Sequence, residues 1–165
     1  MTEDVIRSLG HLALGTRLKR LGERLQAQTQ RILDAREVPI QAAQFPFLAA
    51  IDRCGPLTVG ELAEAVGVTQ PGATRALAQL AEGGWVEIAN ATDDQRRKSV
   101  TLTRQGKRLV ETGKREVWPV IDGAVKDACR GLVGTLLEQL AALEDGLGER
   151  SLDRRAEAIQ ARRKR

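Results

Sequence analysis

Apolar residues recur at helical spacing near the start of the chain. Leu14, Leu18, Leu21, Leu25 and Ile32 follow one another at intervals of four, three, four and seven residues. This spacing places them in one stripe along a helix. The stripe either packs against its own chain or meets a partner chain, and the sequence leaves both possibilities open.

The middle of the chain predicts two short helices joined by a tight turn. Thr58 and Glu61 form the capping box that begins the first helix, and Gly67 ends it. Thr69 can cap the second helix, with Pro71 in its first turn, where a missing N–H does no harm. The predicted inner faces consist of Leu62, Ala63, Val66, Ala73, Ala76, Leu77, Leu80 and Ala81. This pattern predicts a helix-turn-helix.

A β-hairpin is predicted directly after the two helices. Val86 and Ile88 flank a polar residue on one strand, and Val100 and Leu102 do so on the other. Between them lies a polar segment with three consecutive cations at positions 96–98. A helix-turn-helix followed by a hairpin is a winged-helix arrangement, so the cations would lie on the wing.

Prolines and glycines divide the remaining helical segments. Pro39 is predicted to end the first long helix, and a short apolar helix after it to be interrupted near Pro46 and stopped by Gly55. A later helix is expected to kink at Trp118-Pro119. The two C-terminal apolar stripes comprise Leu109, Val110, Val117, Ile121 and Val125, then Leu132, Leu136, Leu140, Leu143 and Leu147.

These elements predict a mainly α fold with a small β-hairpin wing. It combines a winged helix-turn-helix DNA-binding lobe with a helical dimerisation domain from the N- and C-terminal helices. The predicted division is an N-terminal dimerisation arm at 1–38, the winged lobe at 39–103, C-terminal dimerisation helices at 104–150 and a basic tail at 151–165.

Composition excludes several classes of protein. Two Phe, two Trp and no Tyr leave an aliphatic core. No apolar run is long enough to span a bilayer, and charges interrupt the first thirty residues, which predicts a cytoplasmic protein without a membrane partner. The sequence has no Ser/His/Asp set, metal-spaced cluster or glycine-rich phosphate loop. We therefore expect no enzyme, catalytic residue, metal or cofactor.

The hairpin resembles the wing of the MarR family of bacterial transcriptional regulators. Asp94-x-Arg96, five residues, then Leu102-Thr103-x-x-Gly106 matches the wing motif of that family. The stretch LTVGELAEAVGVTQPGATRALAQLAEGGWVE matches its helix-turn-helix in length and register. The resemblance implies an obligate homodimer, a near-palindromic double-stranded DNA operator, and a repressor often released by a small phenolic or carboxylic effector or by thiol oxidation.

The second helix of the pair is predicted to contact DNA. Gln70 can pair with adenine, Arg75 with guanine, and Thr74 can reach a base edge or a thymine methyl. Thr69 can contact a phosphate while it caps the helix, and Gly72 lets the backbone approach closely. Because residues 57–91 hold one cation and four anions, phosphate attraction must come mainly from the wing, from helix N-termini and from Lys107 or Arg108.

The wing is predicted to supply the other DNA contacts. Arg96 or Arg97 would enter the minor groove, with one of them oriented by Asp94, and Lys98 would also contact DNA. The alternative is that the Asp94–Arg96 pair only staples the hairpin, since surface pairs contribute little.

The resemblance also implies an effector pocket between the dimer helices and the DNA-binding lobe. His11, Arg17, Phe45, Phe47 and Trp118 could line it. A lone histidine is more often structural than ligand-binding, and scarce aromatic residues lie more often in a core.

Two cysteines raise the possibility of redox sensing. Cys54 could sense oxidants if its thiolate were exposed and its pKa lowered. Free cysteines are more often buried and inert, and Cys129 has the weaker case.

A second resemblance supplies an alternative function. The segment from ALGTRLKRLGERL to GERSL looks like the regulator module found ahead of an N-acetyltransferase domain in some bacterial proteins. The alternative is a regulatory or interaction module of an acetyltransferase system with weak or vestigial DNA binding. The acidic helix-turn-helix favours this alternative, and the intact wing motif argues against it.

Overall fold

The computed structural model describes residues 3–91 and 94–128, together with residues 134, 135 and 139. The chain divides into two compact units between Ile121 and Asp122. The predicted C-terminal stripe at 132–147, the basic tail and Cys129 lie outside the described residues.

Helices dominate the described residues. They are α1 (Val5–Ser8), α2 (Leu14–Asp34), α3 (Phe45–Cys54), α4 (Val59–Val66), α5 (Gln70–Glu82), α6 (Arg104–Thr112) and α7 (Trp118–Ala128). Short 3₁₀ turns cover Gly10–Ala13 and Ala42–Gln44, and a π-helical turn, Gly113–Val117, joins α6 to α7. None of the helices within the described ranges is long and apolar enough to cross a membrane.

A small antiparallel sheet completes the winged helix that the sequence predicts. Its strands are β1 (Leu57–Thr58), β2 (Val86–Ala91) and β3 (Asp94–Leu102), in the order β1-β3-β2. The hairpin of β2 and β3 is confirmed, and β1 adds a third strand by pairing Leu57 with Val100. The predicted fold class, mainly helical with a small wing, is therefore confirmed.

The core of the lobe lies where α3, α4, α5 and α6 meet the sheet. Six of its side chains are less than 2% exposed: Leu48, Leu62, Leu77, Leu80, Val100 and Val110. The core is largely aliphatic, as the composition predicts, and Phe47 is its one deeply buried aromatic residue among those described. Because α5 contributes two of the six, the helix is held firmly on its inner side.

Local hydrogen bonds begin and end the helix-turn-helix where the sequence predicts. The backbone N–H of Thr58 donates to Glu61 Oε2 at 2.7 Å, and the Glu61 N–H donates to Thr58 Oγ1 at 3.2 Å, which completes the capping box. Gly67 ends α4 with a φ of +73°, and the next N–H, from Val68, donates to the Ala63 carbonyl at 2.9 Å. This is a Schellman motif, which turns the chain sharply into α5.

The wing is joined to α6 by a close backbone approach. Thr103 Oγ1 accepts from the Gly106 N–H at 3.0 Å, which caps α6, and donates to the Gly84 carbonyl at 2.7 Å. A Cβ at Gly106 would collide with the carbonyl oxygen of Trp85. The threonine and glycine of the wing motif therefore have a structural reason: they lock α6 against the start of β2.

The apolar stripe of α2 is largely exposed in the single chain. Leu18, Leu21 and Leu25 are 36%, 42% and 37% exposed, whereas Leu33, near the end of the helix, is 2% exposed. Helix α2 thus joins the lobe at its C-terminal end, while most of its predicted stripe does not contribute to the described core.

The prolines act somewhat differently from the predictions. Helix α2 ends at Asp34, ahead of Pro39, as expected. Pro46 does not interrupt a helix, because it lies in the first turn of α3, where its missing N–H leaves no bond unmade. The irregularity expected at Trp118-Pro119 takes the form of the π-helical turn directly before it.

Candidate nucleic-acid interface

The two sides of α5 differ sharply in burial. Ala73, Leu77 and Leu80 are at most 1% exposed and face the core. The five residues predicted to contact DNA are all exposed: Thr69, Gln70, Gly72, Thr74 and Arg75. The packing that holds α5 therefore leaves these five residues accessible near its N-terminal end.

Hydrogen bonds within the first turn of α5 organise this surface. Thr69 Oγ1 accepts from the Gly72 N–H at 3.3 Å, which caps the helix. Thr74 Oγ1 donates to the Gln70 carbonyl at 2.9 Å, so its oxygen remains an acceptor while its proton is already used. Within the described ranges Arg75 has no ion-pair partner, so its guanidinium is available to an incoming ligand.

The wing extends beyond the core as a twisted hairpin with an irregular end. The register runs from Val86 opposite Leu102 to Asn90 opposite Lys98, and then shifts so that Ala91 pairs with Asp94. Such a shift marks a bulge, which bends a strand and increases its twist. The predicted contact residues 94–97 lie at this irregularity, which the hydrophobic pattern does not reveal.

The wing residues are described to different extents. The side chains of Asp94, Arg96 and Arg97 lie outside the described part of the chain, so their predicted roles stay predictions. Lys98 is exposed on β3. Lys107 and Arg108, the further cations expected to attract phosphate, are exposed on α6.

The structure brings together only part of the predicted effector pocket. Phe45 and Trp118 meet edge to face, with ring centroids 4.4 Å apart. They line an apolar cavity of about 30 Å³ together with residues such as Leu33, Ile40 and Val117. This volume corresponds to about one water molecule, whereas ligand pockets are usually about 300–1,000 Å³.

The other predicted effector residues lie elsewhere. Phe47 is 3% exposed and belongs to the core. His11 and Arg17 are exposed and do not line the cavity of Phe45 and Trp118.

Cys54 meets one requirement for a redox sensor. Its side chain is exposed at the C-terminal end of α3. The partial negative charge of a helix C-terminus disfavours a thiolate there, so exposure alone leaves the sensing role a prediction.

Sequence comparison places the winged lobe among known regulators. The sequence profile of the MarR family matches residues 38–97. FarR, an HTH-type transcriptional regulator from Neisseria gonorrhoeae, is 28% identical over 140 residues, which cover 83% of this chain and 94% of the relative. An uncharacterized HTH-type transcriptional regulator from Bacillus cereus is 39% identical over 72 residues, which cover 44% of this chain and 47% of the relative.

Structural comparison extends the similarity over most of the chain. A variant of MarR from E. coli in complex with operator DNA has a TM-score of 0.62 and 26% identity, covering 89% of this chain and 98% of that one. Apo wild-type MarR from E. coli has a TM-score of 0.58 and 26% identity, covering 82% and 95%. BpsR from Bordetella bronchiseptica, at 22% identity and a TM-score of 0.64, covers 84% and 93% and shares the fold.

Proposed function

Since its winged lobe makes this chain a member of the MarR family of transcriptional regulators, we propose that it is a homodimeric, sequence-specific repressor released by a small-molecule effector. The observation that carries this proposal is the surface of α5. Residues able to read bases are exposed there, while the opposite side of the helix is buried in the core.

The proposed operator contacts divide between base recognition and phosphate attraction. Gln70 and Arg75 would read base edges in the major groove, and Thr69 and the N-terminus of α5 would contact phosphate. The cations at 96–98 would extend the interface into the neighbouring minor groove. Two such lobes, with their recognition helices about 34 Å apart, fit the half-sites of a near-palindromic operator.

The proposed dimer interface includes the exposed stripe of α2. Leu18, Leu21 and Leu25 remain over a third exposed in the single chain, and a second copy would cover them. The MarR regulators to which the chain is similar support a regulator that acts on DNA, and we propose that it acts in the cytoplasm. None of the relatives named above is described as part of an acetyltransferase system, so the alternative function has no support from them.

The proposed effector is a small phenolic or carboxylic acid. DNA binding of BpsR is regulated by 6-hydroxynicotinic acid, which makes that class of compound a reasonable first choice. Because the cavity at Phe45 and Trp118 is too small in the single chain, effector binding would require it to widen or would use a different site.

The test is fluorescence anisotropy of the full chain on a duplex from its own upstream intergenic region. A scrambled duplex is the control, and both are titrated across a salt series. A specific regulator should prefer the native duplex by about 10³-fold or more, and a phenolic or carboxylic effector should weaken that binding. Equal and weak binding of the two duplexes would contradict the proposed function at that site.

A further inference from the structure

Glutamine side chains link α2 to the loop that precedes α3. Gln30, in α2, accepts the backbone N–H of Ala42 on Oε1 at 2.8 Å. Its Nε2 donates to Asp34 Oδ1 at 2.8 Å. Both ends of the amide are therefore engaged, and the 3₁₀ turn Ala42–Gln44 is held at a fixed place along α2.

A second glutamine continues the link from this turn to α5. Gln44 is 7% exposed and is the buried polar side chain of the described lobe. Its Oε1 accepts the Gln41 N–H at 2.9 Å, and its Nε2 donates to Gln79 Oε1 at 3.0 Å. Gln79 lies in the C-terminal half of α5, behind the residues that would contact DNA.

The bond between Gln44 and Gln79 differs in kind from the apolar packing around it. Among the described residues, it is the side-chain hydrogen bond that joins α5 to another element. Aliphatic contacts hold a helix down but are not directional, so they allow small rotations and slides. A hydrogen bond weakens steeply when its distance or angle changes, so it selects one orientation of the helix.

We propose that Gln30, Gln44 and Gln79 form a positioning relay that fixes the orientation of α5 relative to α2. The proposal rests on the proposed function, because α2 carries the stripe expected to join two copies. The relay would then set the spacing between the two recognition helices of a dimer. Its members are positioning residues, since they act through α5 and not through contact with DNA.

This relay has a specific consequence for operator recognition. A firmly oriented pair of recognition helices should tolerate only one separation between half-sites, because each inserted base pair both lengthens and rotates the duplex. A loosened pair should bind the correct spacing less well and the wrong spacing relatively better. The informative quantity is therefore the ratio of affinities for the two spacings.

The experiment measures this spacing ratio for the full-length dimer by fluorescence anisotropy. The duplexes carry the operator half-sites mapped with the wild type, either at native spacing or with one inserted base pair. Gln44→Met removes the donor and acceptor at similar side-chain length, and Gln79→Ala removes the other partner. Gln26→Met is the matched control, because Gln26 is exposed on α2 and makes no hydrogen bond within the described residues.

We expect Gln44→Met and Gln79→Ala each to reduce the spacing ratio by about threefold to tenfold, the size of effect that one hydrogen bond produces. The double variant should lose no more than either single variant, because the two residues act as one unit. Gln79→Glu, which keeps an acceptor for Gln44 Nε2, should restore the ratio even if its charge lowers both affinities. Gln26→Met should behave as the wild type.

The outcomes separate failure of the relay from failure of the proposed function. If the wild type shows no preference for the native duplex over a scrambled one, the function itself fails, and the relay with it. If the wild type prefers one spacing but both relay variants keep its ratio, the relay is wrong and the function stands. A uniform loss of affinity on both spacings, together with a lower urea midpoint, would make the glutamines merely structural and would also overturn the relay.

Discussion

Arg75 is the single cation of the helix-turn-helix, and it lies exposed on α5 among the other predicted base-reading residues. We expect Arg75→Ala to weaken binding to the native duplex by about 1–3 kcal/mol, because a bidentate contact to guanine would be lost. The loss on a scrambled duplex should be much smaller. Anisotropy titrations of both duplexes provide the measurement.

The control for this variant is Arg115→Ala. Arg115 is equally a surface arginine but lies in the π-helical turn, where it pairs with Glu116. It should leave the preference for the native duplex unchanged. An equal loss on native and scrambled duplexes for Arg75→Ala would show a phosphate contact instead of a base contact.

Lys98 is the described cation of the wing, exposed on β3 opposite Asn90. We expect Lys98→Ala to weaken native and scrambled duplexes by a similar factor, because a phosphate contact carries no sequence information. The slope of log affinity against log salt should become less steep by about one unit. A titration series at four or more salt concentrations measures it, and an unchanged slope would exclude the contact.

Residue by residue, the predictions that succeeded concern local chemistry. Thr58 with Glu61, Thr69 and Thr103 cap the helices as expected, because a cap joins residues only three positions apart. The bond between Gln44 and Gln79 could not be anticipated, since it joins positions 35 residues apart. No periodicity in a sequence encodes such a contact.

The junction of the wing with α6 gives a prediction at the level of whole elements. Gly106→Ala should lower the free energy of unfolding by about 1–3 kcal/mol or more, because its Cβ would push α6 away from the Trp85 carbonyl. Gly60, in α4, has no atom within 4 Å of where its Cβ would be. Gly60→Ala should therefore stabilise the protein by up to about 1 kcal/mol through helix propensity.

Urea unfolding of the two glycine variants supplies the comparison. The midpoints should move in opposite directions, with Gly106→Ala below the wild type and Gly60→Ala at or above it. If Gly106→Ala unfolds at the wild-type midpoint, the close approach to Trp85 is not a constraint on the fold.

The elements themselves were predictable in number and order but not in all their pairings. Strand β1 is two residues long, too short for any alternation, and its pairing with β3 depends on the folded lobe. The π-helical turn at Gly113–Val117 was expected only as a kink one turn later, because proline marks a disturbance without fixing its form.

For the molecule as a whole, the exposed stripe of α2 carries the prediction. Leu21→Glu should convert the proposed dimer to a monomer, because a charge would enter the apolar contact between copies. Its affinity for the native duplex should fall by about 10²-fold or more, since two linked half-site contacts become independent. Multi-angle light scattering after gel filtration measures the mass, and anisotropy measures the affinity.

Gln26→Glu is the control for this variant, since it adds the same charge at an exposed position away from the stripe. It should remain a dimer. A dimeric Leu21→Glu protein would show that this face of α2 does not hold the copies together.

The effector site shows how far sequence reasoning extends at this scale. Phe45 and Trp118 do meet, but His11 and Arg17 do not line their cavity, and Phe47 is part of the core. Residue type alone named these five, whereas a pocket depends on distances between segments far apart in the chain. The DNA-contacting set on α5 was more tractable, because one helix presents it.

The pairing of Leu57 with Val100 has a consequence for synthesis of the protein. The ribosome completes both helices of the helix-turn-helix before it makes the central strand on which β1 depends. At about 5–20 residues per second, Leu62 and Leu77 wait several seconds for Val100 and Val110 to close the core over them. The nascent chain is thus most vulnerable to misassociation in this interval, and a fragment ending before β3 would retain that vulnerability.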